Sequence, residues 1–393
     1  MSSKISQRRM FMIIAPILLA FIVIFLLKPS ENLIYGQDSF IFYFIHPFSF
    51  WGNPFNSLSS IGFGYAPVFN AENIFLDSFI YVISGIGLAL PLTEWILIFF
   101  TIAISNYGII LLVNQLHPLF SFRNEVSIIL SIMLYWFNPF TLSVTFFHFE
   151  SYFLFQAILP YIFLVIVVLY NGDFYKPELL FSLLVILVFS PATYGVYASI
   201  VLFITFFALL SYIYKFYRER KFNKFLKRIL FLSISLAIEI YFSLAFLIFM
   251  HFSGNLTLNA ITGGSNTFSQ IISLWKSESA TTQIYRVLSL NAFVWLYNGR
   301  GLISYPWFPF FKLVLISGLM VPLLFLLEVL VLKKKNMFVL MIVILSIVFI
   351  IFSTGDNFPF NSLNYLFLQI GGPFLVLANS FYFSMQGLLI LLQ

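Results

Sequence analysis

"KFYRERKFNKFLKR", Lys215 to Arg228, packs seven basic residues and one acid between two long apolar runs. Gly195–Tyr214 precedes it without a charge, and Ile229–Met250 follows with only Glu239. Apolar runs of roughly 20 residues match a helix crossing the hydrocarbon core of a bilayer. A basic segment joining two such runs reads as a cytoplasmic connection, because Lys and Arg accumulate in the loops that stay inside. The stretch therefore predicts a helical membrane chain and gives it an orientation.

The rest of the sequence agrees. Of 393 residues, 61% are hydrophobic and 9% charged, whereas a soluble domain carries about 25% charged residues. With 54 Phe, packing and lipid contact are heavily aromatic. There is no Cys, so disulfides, thiolate nucleophiles and thiolate metal sites are excluded, and any chemistry uses carboxylate, imidazole, amide or hydroxyl. The net charge of +6 sits in short runs beside apolar segments, which is topology information and no nucleic-acid footprint. The basic start "MSSKISQRRMFMIIAPILLAFIVIFLLKPS" carries an apolar run too long for a cleaved leader and reads as a retained first span.

The predicted fold class is an all-α integral membrane protein of about ten transmembrane helices. Nine spans are expected at Met10–Leu27, Thr93–Val113, Val126–Phe146, Tyr152–Tyr170, Glu178–Pro191, Gly195–Tyr214, Ile229–Met250, Phe310–Leu332 and Met337–Ser353. A last run begins near Ser380 and is still apolar at Gln393, shorter than a crossing helix. Residues 1–393 thus read as a single polytopic membrane domain cut short at its C-terminus. Lys4, Arg8 and Arg9, Lys215–Arg228, and Lys333–Lys335 all fall inside if Ile74–Pro91 does not cross but lies in, or dips into, the outer face. This gives a cytoplasmic N-terminus and a multi-pass chain of the cell membrane. Three regions lie outside: a first loop over 28–92 with interfacial or re-entrant helices, a long polar loop over 251–309, and 354–379.

The first outer loop is not built as a mere connection. "YGQDSFIFYFIHPFSF", Tyr35 to Phe50, holds one carboxylate, Asp38, among aromatic residues, and "FWGNPFNSLSSIGFGYAPVF" adds Gly and Pro turns. Long loops with their own structure are usually functional. Asp38 also suits a helix N-cap. Other ionisable residues gather on the same face: His46 in the loop, His148 and Glu150 at the turn between the third and fourth spans, and His251 at the end of the seventh. Of four His, only His117 falls inside. A carboxylate beside apolar spans is costly unless wet or paired. A divalent metal on Asp38, His148, Glu150 and His251 is chemically conceivable, but no ligand spacing singles it out.

Four stretches together resemble the GT-C membrane glycosyltransferases, in particular the multi-spanning N-terminal part of the arabinofuranosyltransferase type. They are "GQDSFIFYFIHPFSFWGNPFNSLSSIGFGYAPVFN", "ESYFLFQAILPYIFLVIV", "YRVLSLNAFVWLYNGR" and "GGPFLVLANSFYF". They match an Asp-bearing outer loop, an outer-turn Glu before a Leu-Pro-rich span, a late loop with an Arg and an aromatic cluster, and a short outer hairpin. One departure stands out: Ala378 precedes Asn379 where the pattern carries Arg.

The resemblance implies transfer of a sugar from a polyprenyl-phosphate donor to a hydroxyl of a glycan, glycolipid or glycoprotein on the extracytoplasmic face, among membrane lipids. Asp38 is then the catalytic base that takes the acceptor proton. The departing phosphate needs cationic stabilisation, for which Arg286, Arg300 and Lys276 are candidates, with His148 or His251 as alternatives. Arg offers the bidentate fork. Arg286 and Arg300 equally suit anchoring at headgroups near Trp295 and Trp307. Trp51, Tyr65 and Trp295 are candidate sugar-stacking groups that equally suit interfacial anchoring, and Glu150 completes the substrate-binding set. Two other readings stay open: a lipid or solute transporter or flippase, for which Glu239 and Glu328 are the span-interior acids, and a non-catalytic scaffold of a surface-assembly complex.

Overall fold

The computed structural model describes residues 14–22, 24, 82–83, 85–88, 90–116, 124–136, 149–189, 196–252, 276, 340, 343–345, 347–348, 350–351 and 356–370. These are helical apart from turns, with no strand among the described residues. Among the described residues, three helices, over Trp95–Leu116, Leu154–Asn171 and Ile200–Glu219, are long and apolar enough to cross a membrane. The chain divides into two compact units, one of residues 1–132 and 147–192, the other of 133–146 and 193–393.

The first unit is built around α1 (Leu90–Leu116) and α3 (Phe149–Asn171), with α4 (Pro177–Phe189) against α3. The chain enters α1 through a turn, where Ile86 N–H bonds Ile83 O and Gly87 takes a φ of 86° that only Gly adopts freely. α2 (Asn124–Trp136) follows α1 in the chain. From Leu154 to Tyr170 every side chain of α3 is buried. A helix apolar on all sides suits either lipid or the inside of a bundle, and here protein encloses it.

What lets α1 approach α3 so closely is Gly108. A Cβ built there would lie 2.7 Å from the Tyr161 ring. The ring slides over the bare backbone, and its hydroxyl donates to Ile104 O at 2.7 Å. Phe181 of α4 closes the cluster at 6.0 Å from the Tyr161 ring and 5.5 Å from Tyr107. Beyond α3, Lys176 donates from Nζ to Gln115 Oε1 at 3.2 Å and pairs with Asp173 at 2.7 Å. Tyr161 pairs with mid-α1 and Lys176 with its end, so α1 and α3 run parallel.

Local sequence sets the α3–α4 corner. Gly172, at φ 84°, ends α3, with its own N–H and that of Asp173 returning to Val168 O. This is the left-handed glycine stop. Pro177 opens α4, where a missing N–H costs nothing. On the other side of α1, Asn106 Nδ2 donates to Pro16 O at 3.2 Å and Phe99 meets Phe21 at 4.6 Å, docking helical residues 14–22.

In the second unit, α5 (Val196–Glu219) and α6 (Phe222–Phe252) pack together. The expected loop Lys215–Arg228 is not a loop. Helix runs through it from both sides, leaving only Arg220 and Lys221 as the connection. Arg220 takes the left-handed conformation at φ 53°, its N–H bonding Phe216 O at 2.7 Å. Phe216 stacks on Phe225 at 4.8 Å, and Arg220 lies 5.6 Å over the Tyr217 ring. A stretch read as a connection because of its charge is helical because Lys, Arg and Glu are good helix formers.

The outer segment expected over 354–379 also carries structure. A turn at Asp356–Phe360, with a cis Phe358–Pro359 peptide, leads into α7 (Asn361–Ile370). Asn364 Nδ2 donates to Ile351 O at 2.9 Å and ties α7 to the helical residues before it. The spans expected at Phe310–Leu332 and from Ser380 lie outside the described residues.

Gly108→Ala should destabilise the first unit. Overpacking costs roughly 1–3 kcal/mol, against about 1 kcal/mol regained in helix propensity. Tyr161→Phe should lose only about 0.6 kcal/mol, the average worth of an interhelical hydrogen bond in a membrane protein. Thermal unfolding of the purified chain in mild detergent compares them; a Gly108→Ala protein as stable as its parent would show that the ring contact does not limit helix approach.

Candidate functional site

Asp38, Trp51, Tyr65, His148, Arg286 and Arg300 lie outside the described residues, as do His46, Trp295 and Trp307. Glu150 is placed by its backbone in the first turn of α3, in the first unit, and His251 in the last turn of α6, in the second. Lys276 is exposed. No group of three or more His, Cys, Asp or Glu able to hold a metal occurs among the described residues.

Glu239, the span-interior acid of the sequence, lies in the structure beside two buried polar groups to which the sequence drew no attention, Arg228 and Ser235. On α6, Arg228, Ser235 and Glu239 are buried at 1%, 2% and 2% exposure, with Leu232 between them. Steps of four, three and four residues keep all four on one helix face. Ser235 Oγ donates to Glu239 Oε1 at 2.5 Å. The sequence places Arg228 in the basic cytoplasmic connection. Instead its guanidinium turns inward and meets Glu219 Oε2 at 3.3 Å, while Lys215 reaches the other oxygen of Glu219 at 3.7 Å. The spacing with Ser235 and Glu239 was the signal available in the sequence; the surrounding charges hid it.

A second group belongs to the expected outer region. The Tyr365 hydroxyl donates to Asp356 Oδ1 across the α7 turn. Partial desolvation and this hydrogen bond push the phenol up to about 12. Asp356 is half-buried, a carboxylate positioned by a partner. On α1, Thr101 Oγ1 and Ser105 Oγ, one turn apart and buried, find no hydrogen-bond partner among the described residues.

The Glu219 cluster predicts an asymmetry. Glu219→Gln leaves the buried Arg228 charge with its carboxylate gone, whereas Arg228→Met leaves Glu219 partly exposed and still beside Lys215. Removing one partner of a wholly buried pair costs about 3–5 kcal/mol. Partial exposure of Glu219 reduces this to roughly 1–3 kcal/mol, with Glu219→Gln the worse of the two in thermal unfolding. Equal losses would show that Arg228 is held by its stem and not by its charge.

Comparison of the chain with known protein families, with curated proteins and with solved structures gives no match.

Proposed function

We propose that this chain is a GT-C-like membrane glycosyltransferase of about ten spans. It moves a sugar from a polyprenyl-phosphate donor to an acceptor hydroxyl at the extracytoplasmic face. The observation that carries the reading is the first outer loop: Asp38 shortly after the first span, in an aromatic and turn-rich segment, followed by three further stretches in the order of that superfamily. An acceptor alcohol is a weak nucleophile, and a positioned carboxylate takes its proton as it attacks the anomeric carbon. The C–O bond to the carrier phosphate breaks, and the phosphate leaves with the charge that Arg286 or Arg300 is suited to meet.

One structural observation and the charge-based topology are consistent with it. The parallel α1 and α3 agree with a chain that returns once between them, as the charge-based topology requires. In that topology the start of α3 and the end of α6, holding Glu150 and His251, both face outward. A lipid-linked donor enters sideways from the bilayer, so substrate groups belong at such helix ends. Glu239 favours the transporter reading instead, because a buried carboxylate within an apolar span is a frequent mark of an ion or substrate path.

Transfer from a radiolabelled polyprenyl-phosphate-sugar pool to membrane acceptors decides between them. Asp38→Asn should lower transfer by about 10²-fold or more, the contribution of a general base, with the protein still present in the membrane. Unchanged transfer would remove Asp38 from the mechanism. Orientation is checked separately. Because the chain has no Cys, Glu150→Cys and His251→Cys should react with an impermeant maleimide from outside, and Lys221→Cys only after permeabilisation. The reverse pattern would overturn the topology.

A further inference from the structure

The stretch from Lys215 to Arg228 carries seven basic residues and one acid, a net +6, which equals the formal net charge of the entire chain. Folding divides these charges into two sets. Lys215 and Arg228 turn toward the single acid, Glu219, and form the ion cluster at the base of the α5–α6 hairpin. The other five, Arg218, Arg220, Lys221, Lys224 and Lys227, are exposed around a two-residue turn. The one acid of the stretch is engaged with two of its seven cations.

Immediately beside the cations the surface becomes apolar. Tyr217 and Phe222 are 76% and 61% exposed at the tip, and Leu226, Leu230, Leu210 and Ile213 are 55%, 57%, 43% and 44% exposed along the two helices below it. A soluble acidic partner or a nucleic acid would be matched by cations alone. A border of exposed aromatic and aliphatic side chains under a rim of cations matches the boundary of a bilayer, with acyl chains against the helices and headgroups against the tip. We infer that the α5–α6 hairpin tip is a binding site for anionic phospholipid headgroups, formed by Arg218, Arg220, Lys221, Lys224 and Lys227. The site is independent of the glycosyl-transfer reading.

Cations close to an anionic surface each contribute about 1 kcal/mol, roughly fivefold in partitioning. The full chain is placed in nanodiscs of equal phosphatidylglycerol and phosphatidylcholine, and the lipids retained on extraction into neutral detergent are quantified by native mass spectrometry. The wild type should retain the anionic lipid at least about tenfold over the zwitterionic one, and R218Q/R220Q/K221Q/K224Q should fall to about twofold or less. The variant K333Q/K334Q/K335Q, which removes a separate basic run, should keep the preference. Helix content and gel filtration establish that each variant is folded. If the quadruple variant is not, R220Q and K224Q singly should each lower the ratio by about threefold or more. The proposal is overturned by no preference in the wild type, by a preference unchanged in the folded hairpin variants, or by equal loss in the Lys333–Lys335 variant.

Discussion

The contact between Gly108 and Tyr161 is the constraint on which the first unit depends. A tyrosine inside an apolar bundle must place its hydroxyl, and Tyr161 places it on Ile104 O. That is possible only because residue 108 has no side chain to keep the ring away. In lipid, helices gain little from the hydrophobic effect and associate through close packing and a few hydrogen bonds. Small residues therefore matter where polar ones must reach across. Phe181 and Tyr107 then fill the space around the ring, so α4 takes its seat from the same contact. Asn106, two residues before the glycine, uses another face of α1 to bind Pro16 O. One helix thus organises its neighbours on two sides with one bare position and one amide.

The second unit meets a different demand. Where α5 and α6 reach the end of their apolar surface, the chain must reverse while concentrating like charges. It does so by giving Glu219 two cations, by stacking Phe216 on Phe225, and by resting Arg220 over Tyr217. These contacts hold a turn that mutual repulsion among the remaining cations opposes. An anionic surface in front of them would relieve that repulsion.

Apolar runs were legible because burial in lipid demands length and uniformity, and the helices α1, α3, α4, α5 and α6 each contain or closely follow the expected spans. Helix ends were less legible. Charge marks where a chain meets water, but helix continues wherever backbone bonds can be made, so Lys215–Arg228 read as loop although all but two of its residues are helical. α7 was missed for the opposite reason: its ten residues are too few and too mixed to stand out as a span. The buried face of Arg228, Ser235 and Glu239 needed a helical register that starts before Ile229. The candidate site was legible only as residue types in a pattern, because a site built from loops depends on their meeting in space, and Asp38 and the other candidates carry no spacing that would encode a meeting.

α6 adds a geometric limit to every functional reading. Its 31 residues span about 46 Å at 1.5 Å per residue, against a hydrocarbon core of about 30 Å. If it crosses the bilayer, both ends emerge, and the cationic tip and His251 stand at opposite surfaces whichever of them is cytoplasmic. A site at the His251 end would then lie against one leaflet and the hairpin tip against the other. Glu239 sits between, on the face shared with Arg228, and its Ser235 partner comes from the same helix. From within that helix Ser235 engages one of the two carboxylate oxygens, Oε1. An acid that served a transport path would instead exchange that partner for its cargo, and the Ser235–Glu239 bond is where the two roles separate.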